Sequence, residues 1–223
     1  MYFSMITLQK GLSPRDVNAL ASYTGYQAHQ LVWQLFADHE DRKRDFIYRY
    51  EVRNGTLILY TVSERKPAGE EKIWQIQTKE YKPKLRAGQL LGFTVRANPI
   101  RAKRKDDGQQ KRHDVIMEEK LKLKKEDKIF NISDIVHNKG FQWLEERAAS
   151  HGFNITPNDI RADGYRQHKF FKRKGSTPIS LSTVDFNGML TVTDPAVFID
   201  RCLFRGLGPA KGFGCGLMLV RRV

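Results

Sequence analysis

A phenol and an imidazole one helical turn apart can reach the same small ligand, and this chain carries such a pair in Tyr26 and His29. They lie in the stretch Thr24-Gly25-Tyr26-Gln27-Ala28-His29-Gln30-Leu31-Val32-Trp33-Gln34-Leu35-Phe36. Thr24 followed three residues later by Gln27 is a capping-box signal for a helix start. Ala28, Leu31, Val32 and Leu35 then share one side of that helix, and Tyr26, His29, Trp33 and Phe36 share the other. A helix N-terminus presents orphan N–H groups and partial positive charge, which suit a phosphate. A histidine with a pKa near neutrality moves protons at such a group. At this spacing a Tyr/His pair more often packs or faces water. The rest of the chain must supply a substrate.

Two basic clusters and a glycine-rich stretch do so. Arg101, Lys103, Arg104, Lys105, Lys111 and Arg112 fall within twelve residues, and Gly108, Gln109 and Gln110 make that segment loop-like. Arg161, Arg166, Lys169, Lys172, Arg173 and Lys174 are interleaved with Tyr165, His168, Phe170 and Phe171, a pattern for gripping a helix groove or stacking bases. Near the C-terminus, Gly206-Leu207-Gly208-Pro209-Ala210-Lys211-Gly212-Phe213-Gly214-Cys215-Gly216 has five glycines in eleven residues. Its main chain can approach a phosphate closely, with Gly208, Lys211, Gly212 and Gly214 as candidate contacts. The stretch matches neither a Walker A loop nor a dinucleotide fingerprint.

These residues need a scaffold, and the element order provides one. Residues 2–8 read as a strand, and Ser13-Pro14 as the start of a brief helix before the Thr24 helix. Alternation from Phe46 to Glu51, the turn signal Asn54-Gly55 and residues 56–62 read as a hairpin, and residues 73–81 as a fourth strand. This is βαββαβ with a degenerate second helix. After a linker, residues 90–98 form a strand that Pro99 ends, followed by a charge-rich excursion over 101–128. A helix follows over 131–151 with Ser133 as cap. Strands follow over 155–171 and 179–192, the second broken by a turn at Asn187-Gly188. A helix from Asp194-Pro195 and a last strand over 212–223 complete the same order again. The expectation is α+β: two tandem ferredoxin-like (βαββαβ, RRM-like) domains, residues 1–84 and 85–223. Trp33 and Phe36 are then expected to pack between the domains.

The bulk numbers agree on a substrate class. The 223 residues carry 39 Lys+Arg against 25 Asp+Glu, a net charge of +14, and the pI is near 9.8. Clustered charge of this sign favours a polyanion, and nucleic acid suits the hairpin and loop patterns better than a membrane surface does. No apolar run reaches membrane-span length and the N-terminus does not read as a secretory signal, so no membrane partner is expected. Two cysteines and six scattered histidines make neither a disulfide framework nor a zinc set. A cytoplasmic setting and no obligatory metal or cofactor are expected.

Four features together resemble one family: the Met1-Tyr2-Phe3-Ser4 start, the Tyr26-x-x-His29 helix, the strand Phe93-Thr94-Val95-Arg96-Ala97-Asn98-Pro99, and the glycine-rich ending from Gly206 to Leu217. In this order and spacing they resemble the CasE-type CRISPR RNA-processing endoribonucleases of the RAMP superfamily. The resemblance implies two ferredoxin-like domains and metal-independent cutting of CRISPR precursor RNA at the 3′ base of each repeat hairpin. It also implies that the enzyme stays on the guide RNA as a subunit of Cascade, and that the catalytic pair is Tyr26 and His29. The alternative from another class is a non-catalytic RNA-binding subunit of a ribonucleoprotein.

Overall fold

The computed structural model describes residues 1–13, 15, 20, 26–37, 43–104, 108, 110–171 and 177–223. Most of the helix expected after Ser13-Pro14, the Thr24 cap, Lys105, Lys172, Arg173 and Lys174 lie outside these residues. The side chains of Tyr26 and Arg104 are likewise not described.

Strands β1 (Tyr2–Leu8), β2 (Phe46–Arg53), β3 (Thr56–Ser63) and β4 (Trp74–Glu80) form the first sheet in the order β2-β3-β1-β4. All neighbouring pairs are antiparallel. Asn54 and Gly55, at φ 50° and 73°, close the β2–β3 hairpin with Arg53 opposite Thr56. Helix α1 (Tyr26–Gln34) lays Leu31 and Val32 on this sheet, where Ile6, Leu8, Phe46, Tyr48, Leu57, Leu59 and Trp74 complete a core. Ala28 and Leu35 are buried as well, so the apolar side of the helix is the one its spacing marks. Trp33 and Phe36 depart from expectation. The Phe36 ring stacks on Phe46 at 4.2 Å and Trp33 meets Phe46 edge-on at 5.2 Å, so both belong to this core and not to an interdomain contact. Residues 64–73 hold turns in place of a second helix.

The second half runs through β5 (Leu90–Ala97), β6 (Ile100–Arg104), β7 (Gln110–Asp114), α2 (Val115–Lys125), α3 (Ile132–Ala148), β8 (Phe153–Asn154), β9 (Ile160–Phe170), β10 (Ile179–Val192), α4 (Pro195–Val197, continued by π-helical turns over Phe198–Phe204) and β11 (Met218–Arg222). Its main sheet runs β11-β5-β10-β9, antiparallel throughout, with β8 also on β10. That repeats the order β4-β1-β3-β2 of the first sheet, so the chain holds two ferredoxin-like units. Helix α3 and the π-helical turns close the second core around Trp143, Phe153, Phe186 and Phe198.

Three local expectations change. The 101–128 segment is no loop: β6 and β7 pair as a hairpin and α2 follows, its first turn capped by Asp114, whose Oδ1 accepts from Ile116 N at 2.9 Å. Helix α3 is capped by Asn131, which accepts from Ser133 N at 2.9 Å, so Ser133 is inside the helix. Strand β10 runs unbroken through Asn187-Gly188. A Cβ at Gly188 would lie 2.0 Å from Asp159 O, so this glycine serves a close backbone approach and not a turn.

The two units meet through Ile47, Val62 and Leu217, with Phe3, Tyr60, Tyr81, Phe204 and Leu219 packed around them. Buried Arg49 ties the faces together: its Nη1 donates to Thr94 Oγ1 at 3.2 Å, and its charge is met by Glu51 at 2.9 Å. Burial lowers the Arg49 pKa, and Glu51 and Asp185 oppose that shift. No helix among the described residues is long and apolar enough to cross a membrane.

Candidate active site

His29 projects from the first turn of α1 to the glycine-rich loop of the other unit. Its Nδ1 lies 2.6 Å from Gly212 O. A carbonyl cannot donate, so Nδ1 carries the proton and, in the neutral ring, the lone pair is on Nε2. The same carbonyl accepts from Tyr48 Oη at 2.8 Å. Its two lone pairs are thus taken by one donor from α1 and one from β2. Burial, with smaller contributions from Tyr50 and Cys215, pushes the Tyr48 phenol well above its ordinary pKa, so it remains a neutral donor. Phe213 stacks on the His29 ring at 5.6 Å, Trp33 meets it edge-on at 6.0 Å, and Phe213 in turn touches Phe170 of β9 at 5.0 Å. The imidazole is therefore oriented from both sides and through one nitrogen.

The loop allows this approach because of its glycines. A Cβ on Gly212 would sit 2.8 Å from Arg44 Nη1 and 3.6 Å from His29 Nδ1, so the guanidinium of Arg44 packs directly over the residue that holds the histidine. Gly214, at φ +79°, lets the chain turn against Tyr50, 3.1 Å from where its Cβ would be. Lys211 is half-buried in the same loop. Burial first, then Arg44 and Arg205, hold its ammonium below the usual lysine pKa. Lys211 shares a cavity of about 350 Å³ with Arg44 and Arg205. Asp45, Glu64 and Asp200 line the same cavity, and Arg205 is ion-paired with Asp200 at 3.1 Å, so Arg44 and Lys211 are the cations this loop brings toward the histidine. Gly208 lies apart: its Cβ position is 2.9 Å from Trp143 Cη2, packed on the second core.

The basic residues divide into two groups. Arg101 and Lys103, on β6, are ion-paired with Glu146 and Glu118, and Arg161 at the start of β9 with Asp163 at 2.5 Å. Lys111 and Arg112 on β7 and Arg166 and Lys169 on β9 are exposed and carry no ion pair among the described residues. Sequence patterning did not single out Tyr48, Arg44 or Phe213. Tyr48 reads as an inward strand residue, and nothing in its neighbourhood announces a contact with a carbonyl 164 positions on. Among the described residues no group of three His, Cys, Asp or Glu is placed to hold a metal ion.

A family model described as CRISPR associated protein matches residues 1–222. The CRISPR system Cascade subunit CasE of Escherichia coli (strain K12) is 29% identical over 223 residues, covering 98% of this chain and 98% of that protein. The solved structure of the CRISPR-associated protein Cas6e from Escherichia coli str. K-12 matches with a TM-score of 0.64 at 26% identity, covering 100% of each chain. That of Thermus thermophilus Cse3, bound to an RNA representing a pre-cleavage complex, matches with a TM-score of 0.67 over 99% of this chain and 98% of that one. At 23% identity this last likeness is one of fold.

Proposed function

Because the chain belongs to the CRISPR-associated protein family, we propose that it is an endoribonuclease that binds CRISPR repeat hairpins and cuts the precursor RNA at the 3′ base of the stem. It then holds the guide RNA as a cytoplasmic subunit of Cascade, the assembly for which its Escherichia coli relative is named. The observation that carries the reading is the His29–Gly212 hydrogen bond, which brings an oriented imidazole from one unit onto the glycine-rich loop of the other. We assign residues 1–84 to the unit that carries the catalytic helix and residues 85–223 to the unit that carries the loop and the basic strands.

RNA brings its own nucleophile, so the cut needs no metal-bound water. The 2′-oxygen forms a bond to the adjacent phosphorus, the bond to the 5′-oxygen breaks, the 2′-OH proton leaves and the 5′-oxygen gains one. The ends are a 2′,3′-cyclic phosphate, which water opens to a 3′-phosphate, and a 5′-OH. His29 Nε2 moves a proton in this exchange. With Nδ1–H held on a carbonyl, the ring keeps its orientation whether neutral or charged. Tyr26, by the resemblance, orients the 2′-OH or the phosphate from the same helix end. Lys211 and Arg44 stabilise charge that builds on the phosphoryl oxygens. Arg112, Arg166 and Lys169 hold the stem so that the 2′-oxygen lies in line with the leaving oxygen.

The test is His29→Ala with a labelled repeat hairpin. Single-turnover cutting is expected to fall by about 10² to 10⁴-fold, with equilibrium binding retained. Undiminished cutting would remove His29 from the mechanism.

A further inference from the structure

Where β5 ends, the second sheet loses a strand. β10 stays paired with β9 from Ile179 to Thr183, but β5 joins it only from Val184 onward. The gap is bounded by the β6–β7 hairpin, which leaves β5 through Asn98-Pro99, and by Pro209, Ala210 and Phe213 of the glycine-rich loop. It forms a cleft of about 550 Å³, within the usual span of small-ligand sites.

Its wall holds two unsatisfied oxygens. Asn98 and Ser182 line the cleft, are only 5% and 3% exposed, and their Oδ1 and Oγ have no hydrogen-bond partner among the described residues. Buried polar atoms are nearly always paired, so two orphans on one cleft mark a place where a ligand completes the bonding. Asp114, also on the wall, is already committed: Oδ1 caps α2 and Oδ2 accepts from Tyr165 Oη at 2.7 Å. Asn98 Oδ1 can only accept and Ser182 Oγ can accept or donate, so with the Asp114 carboxylate beside them the inner wall favours a neutral group that carries an N–H donor. Ile100, Leu181 and Phe213 supply apolar walls, and exposed Arg112 and Lys169 supply charge for phosphates outside. Phe213 also stacks on His29, so the cleft begins beside the reacting group.

We propose that this cleft is a nucleobase pocket. It takes one unpaired base adjoining the scissile phosphate and prefers a base with an exocyclic amine, which donates to Asn98 Oδ1 with Ser182 Oγ as the second polar partner. The position of the cut rests on the endoribonuclease reading above.

Hairpin RNAs with paired analogues at each unpaired nucleotide beside the cut test it: adenosine against purine riboside, cytidine against 2-pyrimidinone riboside, guanosine against inosine, and an abasic sugar. Equilibrium binding and single-turnover cutting are both measured. At one position the protein is expected to prefer an amine-bearing base over its amine-free analogue by about tenfold or more. Asn98→Ala and Ser182→Ala should reduce that ratio toward one while cutting the abasic RNA as the parent protein does. Asn98→Asp, which keeps an acceptor, should keep the ratio. Equal treatment of every pair by the parent protein overturns the proposal, as does a full preference retained by both alanine variants. If Asn98→Ala does not fold, Ser182→Ala and the analogue ratios decide. If the parent protein binds the RNAs but cuts none, the nuclease reading fails and the binding ratios still decide the pocket.

Discussion

One carbonyl oxygen, that of Gly212, organises the site at the scale of single residues. It accepts from His29 at 2.6 Å and Tyr48 at 2.8 Å, so the ring tautomer and the loop position are set by the same atom. Tyr48→Phe removes one donor and keeps the ring. It should lower folding stability by about 0.5–1.5 kcal/mol, seen in denaturant melts, and slow single-turnover cutting without loosening RNA. An unchanged cutting rate would mean that Tyr48 serves only the core. The helix that carries His29 was legible because helical spacing is local, while its expected Thr24 cap lies outside the described residues. Tyr48 and Arg44 were not legible, because their roles arise only when two units dock, and a contact between distant positions leaves no period in the sequence. Trp33 and Phe36 show the converse. Their spacing placed them on the His29 side, but the large ring of Phe46 extends far enough to draw both into the core.

At the scale of elements, the β9–β10 ribbon and the β6–β7 hairpin set which cations are paired with carboxylates and which the proposal leaves for RNA. Exposed ion pairs contribute little to stability, yet those of Arg101 and Lys103 spend much of each cation's field on a carboxylate. Arg166 and Lys169 have no such partner among the described residues. Reversing both to Glu should weaken binding of the hairpin and flatten its dependence on salt, by about 0.7–0.9 in log–log slope for each phosphate that is no longer neutralised. Arg101→Glu should change the slope much less. An unchanged slope in the double variant would exclude this ribbon from the RNA path. The long strands β9 and β10 could be read from aromatic and β-branched alternation. The β6–β7 hairpin could not, since Arg101-Ala102-Lys103-Arg104 and Gln110-Lys111-Arg112-His113 have no apolar face to alternate. Its pairing is a matter of the backbone ladder between Ile100–Arg104 and Gln110–Asp114. The Asn187-Gly188 pair misled in the opposite sense: a strong local turn signal was overridden by pairing with the start of β9, and Asp159 just before that strand leaves no room for a Cβ.

At the scale of the whole molecule, two sheets of the same strand order meet so that the helix of one touches the loop of the other. The repeat of element order was readable from hydrophobic alternation and turn residues. The docking was not, because Ile47, Val62 and Leu217 look like ordinary strand residues until the second unit covers them. Under the proposed mechanism the interdomain seam is a condition of the chemistry, which would require only the RNA's 2′-OH, an oriented imidazole and nearby positive charge. The most direct measurement is incubation of a labelled repeat hairpin in excess EDTA, with both product ends analysed and a 2′-deoxy substitution at the cut as control. The account predicts undiminished cutting that leaves a 2′,3′-cyclic phosphate or 3′-phosphate and a 5′-OH, and no cutting of the deoxy RNA. Loss of activity in EDTA, a 5′-phosphate end, or cleavage of the deoxy RNA would contradict it.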